Sequence, residues 1–290
     1  METLSSKAQI LADSLPKLRN LRGSFVVVKY GGSVLEETVY TDSVLTDVAF
    51  LQQAGIAVVL VHGGGKAITN KMREAGITPK FVNGLRYTDQ KTVSIVDSVL
   101  TKTINPQIVT ALNEKGAKAS TLSGKKVLKG KKHIMTASDG QRVNLGFVGD
   151  ITSVNKSPII SLLKKNIIPV VTPLASGPGG STLNTNADVA AAKIAGELKA
   201  DHLIFLSDTN GILEDAQHPD STLSKVSDKE IQNLCNAGVI TGGMLPKVNS
   251  SLDALKKGVK RVKLLNGQLA HSILIDLFVE SKLGTEIIIQ

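Results

Sequence analysis

The sequence predicts an α/β protein, a three-layer α/β/α sandwich around a mainly parallel central sheet. Short β-branched runs alternate along the chain with longer segments whose apolar residues recur at helical spacing. Such alternation implies right-handed crossovers with helices on both faces of one sheet. Two of the runs end in clusters of glycine, which lets the backbone come close to a ligand at a strand end. No internal repeat or low-complexity linker interrupts the 290 residues, and 42% apolar content is enough for a substantial core. One large domain and two lobes sharing a sheet both fit this length.

The elements follow in order. Ile10, Leu11, Leu15 and Leu18 recur at helical spacing over residues 5–18, with Lys7, Asp13 and Lys17 between them, and Pro16 is expected to interrupt or kink that helix. It packs on its own domain or reaches onto another subunit. The first strand, residues 26–28, runs into Lys29-Tyr30-Gly31-Gly32, where backbone N–H groups can point at an anion and Lys29 adds a compact positive charge. A helix over 41–54 carries Val44, Leu45, Val48 and Leu51 on one face and stops at Gly55. The strand 56–61 then repeats the device with His62-Gly63-Gly64-Gly65, followed by a helix over 66–75. Two glycine-rich strand ends in one sheet form a cradle for a polyanion, most economically the phosphates of a nucleotide.

A loop through Pro79 and residues 83–89 leads to a long helix ending near Gly116. Turn signals at Ser123-Gly124, Lys129-Gly130 and Asp139-Gly140 predict antiparallel hairpins over 117–150. Alternation resumes with a helix over 157–165, a strand over 167–172, a glycine-rich loop at 176–180 and a helix over 187–198. A strand over 203–206, helices over 229–237 and 245–257, a strand over 261–265, a helix over 270–280 and a strand over 285–289 complete the chain.

Composition excludes several classes. The net charge of +9 gathers in two lysine-rich stretches, 125–132 and 256–263, yet neither contains an aromatic residue and the chain has no Trp. Single-strand binders interleave stacking aromatics with such charge, so solvated surface with a general attraction for anionic substrates is expected, not nucleic acid. No apolar stretch approaches the roughly 20 residues of a membrane span, and the N-terminus lacks a signal-peptide core. Cys235 is the lone cysteine, which excludes an internal disulfide and is compatible with a reducing, cytoplasmic setting.

Three stretches place unusual polar groups at element ends. Asn184 and Asp188 stand four apart at the opening of a helix, where helix capping and a functional pair are both open readings. Asp208 and Gly211 follow a strand, in a turn or a nucleotide contact. Lys247 falls in a first helical turn just after Gly242-Gly243, where a cation opposes the helix dipole, and such a mismatch marks a site. Competing nucleotide signatures fail: Leu60 stands where a P-loop needs its first glycine before Gly65-Lys66. The histidines lack metal-ligand spacing, and no metal site is expected.

Taken in order, Lys29-Tyr30-Gly31-Gly32, His62-Gly63-Gly64-Gly65, Gly84-Leu85-Arg86-Tyr87-Thr88-Asp89, Val148-Gly149-Asp150-Ile151, Asn184-Thr185-Asn186-Ala187-Asp188 and Gly242-Gly243-Met244-Leu245-Pro246-Lys247 resemble the amino-acid kinase family. The resemblance runs from about Phe25 to the C-terminus and implies that family's fold. Residues 84–89 resemble the members in which ATP phosphorylates the side-chain carboxylate of N-acetyl-L-glutamate, in arginine biosynthesis. On that resemblance Lys29 and Lys247 would stabilise the transferring phosphoryl group and Asp188 would hold both lysines. Gly31, Gly32 and Gly63 would offer backbone donors to phosphate, and Gly64 and Gly65 to the substrate. Arg86 would grip the substrate's α-carboxylate with Asn184 at the same end. Asp208 and Gly211 would seat ATP, and Mg²⁺ would travel with it.

The resemblance also implies an N-terminal helical extension over 1–22, an acetylglutamate-binding and dimerising lobe over 23–195 and an ATP-binding lobe over 196–290. It extends to a hexamer, a trimer of dimers joined through the N-terminal helix, with L-arginine as inhibitor. His271 and Gly284 match the arginine-sensitive pattern, whereas Asp276 and Lys282 depart from it. Some relatives bind a P-II-type signalling protein. The alternatives are another small-molecule kinase of the same family, such as glutamate 5-kinase, and a catalytically silent nucleotide-binding relative. The joint presence of Lys29, Asp188 and Lys247 argues for a catalyst.

Overall fold

The computed structural model describes residues 4–31, 38–136, 142–215, 218, 221–279 and 283–290; Gly32 and Lys282, named above, lie outside the described residues. The chain opens with α1 (Leu4–Leu21), which continues through Pro16 where an interruption was expected. Then follow β1 (Phe25–Tyr30), α2 (Thr38–Gln53), β2 (Ala57–His62) and α3 (Gly65–Glu74), close to the predicted bounds. A two-stranded hairpin of β3 (Phe81–Val82) and β4 (Leu85–Arg86) replaces the expected loop. Its turn is Asn83-Gly84, with φ of 48° and 77°, the left-handed pair that a two-residue hairpin turn requires.

The long helix is α4 (Gln90–Ser98), a π-helical turn at Val99–Ile104 and α5 (Asn105–Glu114). Asn105 donates its backbone N–H to Leu100, five residues back, and Pro106 follows with no N–H to give. The predicted hairpin region divides in two. β5 (Ala119–Leu122) joins the main sheet as a parallel edge strand, and only β6 (Leu128–Thr136) and β7 (Arg142–Val154) pair antiparallel. A four-residue Ala-Ser-Thr-Leu segment after a helix fits a crossover strand equally well, and turn signals alone do not separate the two cases. Next come α6 (Ser157–Leu163), β8 (Ile168–Val171), β9 (Leu174–Ser176) and β10 (Thr182–Asn184). The expected glycine loop at 176–180 is thus a short turn between β9 and β10, which close a small ring with β6 and β7. The remainder is α7 (Ala187–Leu198), β11 (His202–Ser207), β12 (Lys225–Ser227), α8 (Asp228–Asn236), α9 (Met244–Lys256), β13 (Arg261–Asn266), α10 (Ser272–Phe278) and β14 (Thr285–Ile288).

The main sheet has eight strands in the order β12-β14-β13-β11-β1-β2-β8-β5. It is parallel from β13 to β5, while β14 runs antiparallel to β13 and carries β12 with it. Two cores lie on its two faces, and the period of two decides what each strand sends to each. Val26, Val28 and Tyr30 enter the core that holds α2, α3, the π turn and α5. Val27 enters the core that holds α7 and α9, so Lys29, two residues on, leaves the strand toward those helices. By the same alternation Val58 and Leu60 share the first core, and His62 points at α5. Among the described residues no helix is long and apolar enough to cross a membrane.

Candidate active site

Parallel strands end together, so the glycine-rich ends of β1 and β2 meet. A Cβ on Gly31 would lie 3.3 Å from the Gly63 nitrogen and 3.2 Å from Lys29 Nζ, and neither side chain nor slack separates the two loops. Gly63 donates its N–H to Tyr30 O at 2.7 Å. That donor is therefore engaged within the protein, and the amides of Gly64 and Gly65 have no acceptor among the described residues. Gly64 packs so tightly that a Cβ would fall 2.5 Å from Ile104 Cδ1 and 2.8 Å from Leu100 Cδ2.

Lys29, Asp188 and Lys247, distant in sequence, converge. Asp188 lies in the first turn of α7, where Asn186 caps the helix by accepting from the N–H groups of Asp188 and Val189 at 2.8 and 3.1 Å. Asn184 is not on this helix but on β10, so the two residues do not share a helical face. Lys29 Nζ stands 2.9 Å from Asp188 Oδ1, an ion pair without the direction of a well-aimed hydrogen bond. Lys247, in the first turn of α9, donates to Oδ2 at 3.2 Å and lies 5.4 Å from the centre of the Phe205 ring. All three side chains are buried. Burial pushes the Asp188 carboxyl up, but the adjacent Lys29 and Lys247 charges outweigh it and hold the group below its usual range. Burial pulls the Lys247 ammonium down, Asp188 opposes that, and Lys29 adds to it. Two ammoniums around one carboxylate leave a net charge of about +1 in a buried place, which a phosphate would neutralise.

Lys29 lines a cavity of about 490 Å³ together with Gly63, Gly64, Gly65, Arg86, Asn184 and Ala187 among others, and its partner Asp188, with Lys247 behind it, stands next to that lining. Arg86 faces Phe81 across the β3–β4 hairpin, with its guanidinium carbon 4.7 Å from the ring centre. It donates to Gly65 O and Thr69 Oγ1, both at 2.8 Å, and no carboxylate pairs with it among the described residues. Burial pulls its pKa below the ordinary value without discharging it. Asn184 donates to Thr88 Oγ1 at 3.2 Å, and Thr88 in turn donates to Arg86 O at 2.7 Å, so the residues at this end are tied together. Asp89, the last residue of the same motif, caps α4 by accepting from Thr92 N at 2.7 Å.

Other sequence candidates lie elsewhere. Asp208 is exposed just beyond β11 and close enough to Lys247 to favour its charge. Gly211 is buried at φ 123°, and a Cβ there would fall 2.9 Å from Thr285 N, so packing alone requires its glycine. Gly284 (φ 63°) belongs to the same packing, near Leu265. His271 binds α2, with its N–H to Ser43 Oγ and its Nδ1 to Asp47 Oδ1, both at 2.6 Å. Asp276 is buried, with Arg261 forked onto it at 3.1 and 3.2 Å and Lys263 3.4 Å away. The 256–263 charge cluster is therefore partly an internal ion-pair network. Sequence reasoning missed Phe81, Thr69, Thr88 and Asn105; the Asn-Gly pair at 83–84 is the signal that would have located the first.

Glycine-rich strand ends, Lys29 and Arg86 thus line one cavity of an α/β protein, and Lys247 joins Lys29 beside it through Asp188. The sequence pattern of the amino acid kinase family matches residues 24–266. Acetylglutamate kinase from Aquifex aeolicus is 42% identical, covering 100% of both chains, and that from Petrotoga mobilis is 38% identical over 97% of this chain and 93% of its own. Among solved structures, N-acetylglutamate synthase from Neisseria gonorrhoeae, complexed with coenzyme A and N-acetyl-glutamate, superposes with a TM-score of 0.83 at 27% identity. That match covers 99% of this chain and 63% of the synthase. Carbamate kinase from Giardia shares the fold at a TM-score of 0.65 and 18% identity, over 92% of this chain and 99% of its own. The chain belongs to the amino acid kinase family.

Proposed function

We propose that the protein transfers the γ-phosphoryl group of ATP to the side-chain carboxylate of N-acetyl-L-glutamate, giving N-acetyl-L-glutamyl 5-phosphate and ADP. The observation that carries this reading is the meeting of Lys29, Asp188 and Lys247 beside one cavity that also holds the Gly64 and Gly65 amides, Arg86 and Asn184. The curated relatives named acetylglutamate kinase, aligned over the whole chain, support the substrate.

Phosphoryl transfer asks little covalent work of the protein, so catalysis is alignment and charge stabilisation. Lys29 and Lys247 offset the charge on the transferring group and the departing β-phosphate. Asp188 fixes both ammoniums; it is not a base, since the acceptor carboxylate is already ionised at pH 7. Gly64 and Gly65 donate to the acceptor end as an oxyanion hole does, and Gly31 and Gly63 keep side chains away from the phosphates. Arg86 takes the α-carboxylate by its fork, with Asn184 beside it. Asp208 and Gly211 border the ATP side, within a C-terminal lobe of 196–290 that faces a substrate lobe of 23–195. The donors suit Mg²⁺ only as part of MgATP: Asp188 is neutralised by two ammoniums, and no group of three metal-binding side chains occurs among the described residues.

An ADP-release assay across N-acetylglutamate, glutamate, aspartate and UMP tests the reading. Turnover confined to N-acetylglutamate is expected, and preference for any other acceptor overturns it.

The same reading includes a cytoplasmic enzyme that assembles as a hexamer through α1. That helix supports it by leaving Ile10, Leu11 and Leu15 exposed. A responsive enzyme must seat arginine without Asp276, whose carboxylate is engaged by Arg261 and Lys263, which leaves His271 and the Gly284 turn at this end. Inhibition by arginine, lost together with the hexamer when residues 1–20 are removed, is the expected result. An uninhibited full-length enzyme ends this part of the proposal. For a P-II-type partner the support is the family resemblance alone.

A further inference from the structure

We propose that His62 and Asn105 are positioning residues that aim the Gly64 amide into the active-site cavity. This rests on the reading of Gly64 as a donor to the reacting carboxylate.

The peptide between Gly63 and Gly64 joins two residues without side chains, so neither neighbour resists its rotation. His62 supplies the missing restraint. It is fully buried at the end of β2, with Nδ1 2.8 Å from Gly63 O and Nε2 3.0 Å from Asn105 Nδ2. A carbonyl oxygen only accepts, so Nδ1 carries the ring proton and Nε2 accepts from the Asn105 amide. The Asn105 amide has no freedom to flip, because its Nδ2 also donates to Val170 O at 2.8 Å. Turned round, its oxygen would face that carbonyl. With the Gly63 carbonyl drawn toward the imidazole, a trans peptide sends the Gly64 N–H the opposite way. Gly64 lines the cavity beside Lys29, and its amide finds no acceptor among the described residues.

Two further observations separate this arrangement from ordinary core packing. Asn105 Oδ1 is buried with no partner among the described residues, and His62 is held neutral by burial, its pKa pulled down to about 4. Apolar side chains at both places would avoid leaving a buried polar group unsatisfied. What these two side chains add is direction. The π turn at Val99–Ile104 braces the same peptide from the other side. It sets Leu100 and Ile104 against the Gly64 α-carbon and delivers Asn105 to His62.

The test compares His62→Leu, which removes both contacts, with His62→Asn, whose side-chain N–H occupies the place of Nδ1 and can still donate to Gly63 O. Loss of an oxyanion donor lowers kcat by about 10² to 10³, and a misdirected donor by less, so His62→Leu is expected to lower kcat roughly 10- to 100-fold. KM values for ATP and N-acetylglutamate should stay within about 3-fold, and His62→Asn should recover most of the rate. A His62→Leu enzyme with wild-type kcat overturns the proposal. So does a His62→Asn enzyme as slow as His62→Leu. Should His62→Leu not fold, His62→Asn is set against His62→Gln, which reaches Asn105 instead of Gly63; equal rates for these two also overturn it. Wild-type turnover of N-acetylglutamate is measured first. If another acceptor is used instead, the substrate reading fails while the His62 comparison is run on that acceptor. A crystal structure of His62→Leu, or of His62→Gln in its place, gives a readout free of turnover: a rotated Gly63–Gly64 peptide supports the proposal and an unmoved one refutes it.

Discussion

Replacing Lys247 by Met separates what the buried charges do for catalysis from what they do for stability. Lys247 Nζ lies 3.2 Å from Asp188 Oδ2, a Coulombic attraction of about 5 kcal/mol at an effective dielectric near 20. Against it stands the cost of keeping an ammonium out of water, which is also several kcal/mol. The two nearly cancel. Because Lys29 remains 2.9 Å from Asp188, the carboxylate is not left alone, and the site charge falls from about +1 to about 0. Lys247→Met should therefore unfold within about 1 kcal/mol of wild type in a urea titration. Catalysis has no such offset, since the phosphoryl group brings its own negative charge to the place Lys247 leaves. Loss of one preorganised charged donor costs about 3–4 kcal/mol in the transition state, or roughly 10²- to 10³-fold in kcat. Asp188→Asn gives the opposite stability result. It leaves two buried ammoniums unpaired and should cost about 3–5 kcal/mol of stability as well as rate. The assay is ADP release with both substrates saturating. A Lys247→Met enzyme within 3-fold of wild-type kcat would refute the assignment, however stable it proved.

Arg86→Ala should raise KM for N-acetylglutamate by roughly 10- to 100-fold, the value of a charge-assisted fork, and leave KM for ATP within about 2-fold; an unchanged acceptor KM removes Arg86 from the substrate. Gly64→Ala drives a Cβ to 2.5 Å from Ile104 Cδ1 and 2.8 Å from Leu100 Cδ2, so it should lose about 1–3 kcal/mol of stability and most of its rate. Adding Leu100→Ala and Ile104→Val should restore part of the stability, and no recovery would locate the strain elsewhere. His62 makes stability pH-dependent. Its unfolded imidazole takes up a proton below about 6.5, whereas the buried ring, pulled down to about 4 by burial, does not. The unfolded state therefore binds more protons in that window. About 3 kcal/mol, fully present above pH 6.5, should be lost as pH falls toward 4. Urea titrations of wild type and His62→Asn at pH 7 and 4.5 check this, and identical pH slopes would contradict it.

The main sheet was legible because buried strands and amphipathic helices have different periods, and this chain keeps them apart. Lys29 stood out as a charge beside glycine-rich strand ends, but its pairing with Asp188 on α7 follows from the face to which the strand's period sends it and was not read from the strand itself. Short elements were not legible. β12 and the β9–β10 pair are three residues each, too brief for any period to register, and they exist because the ring and the sheet edge supply their partners. Residues 119–122 read as a hairpin strand because turn signals follow them, but pairing with β8 is a tertiary fact. Asn105 was invisible for another reason. Within a helical stretch an asparagine reads as a weak helix former, and only the packing of the π turn against β2 turns its amide toward His62.

The electrostatics of the cavity give one argument that does not depend on knowing the acceptor. The N-terminal ends of α3 and α7 lie on the same cavity, through Gly65 and Ala187, and the first turn of α9 stands beside it, where Lys247 meets Asp188. Helix N-termini carry partial positive charge, so three of them add to Lys29, Lys247 and Arg86. Asp188 is the carboxylate in ion-pair contact with this array among the described residues, and two ammoniums already share it; Asp208 acts on Lys247 only from its exposed place just beyond β11. An unpaired excess of this kind destabilises the chain until an anion arrives, and a polyphosphate offers more charge per site than a carboxylate does. ADP alone, with no acceptor present, should therefore stabilise the protein. At one hundred times its dissociation constant the gain is about 2.7 kcal/mol, and for a chain of this size that is a Tm rise of several degrees. Adenosine, which shares the base and sugar but carries no charge, should give little of this rise, and Lys247→Met should reduce the response to ADP while leaving that to adenosine unchanged. Equal shifts for ADP and adenosine would mean that the base, not the phosphates, answers to the site, and the array of cations and helix ends would need another explanation.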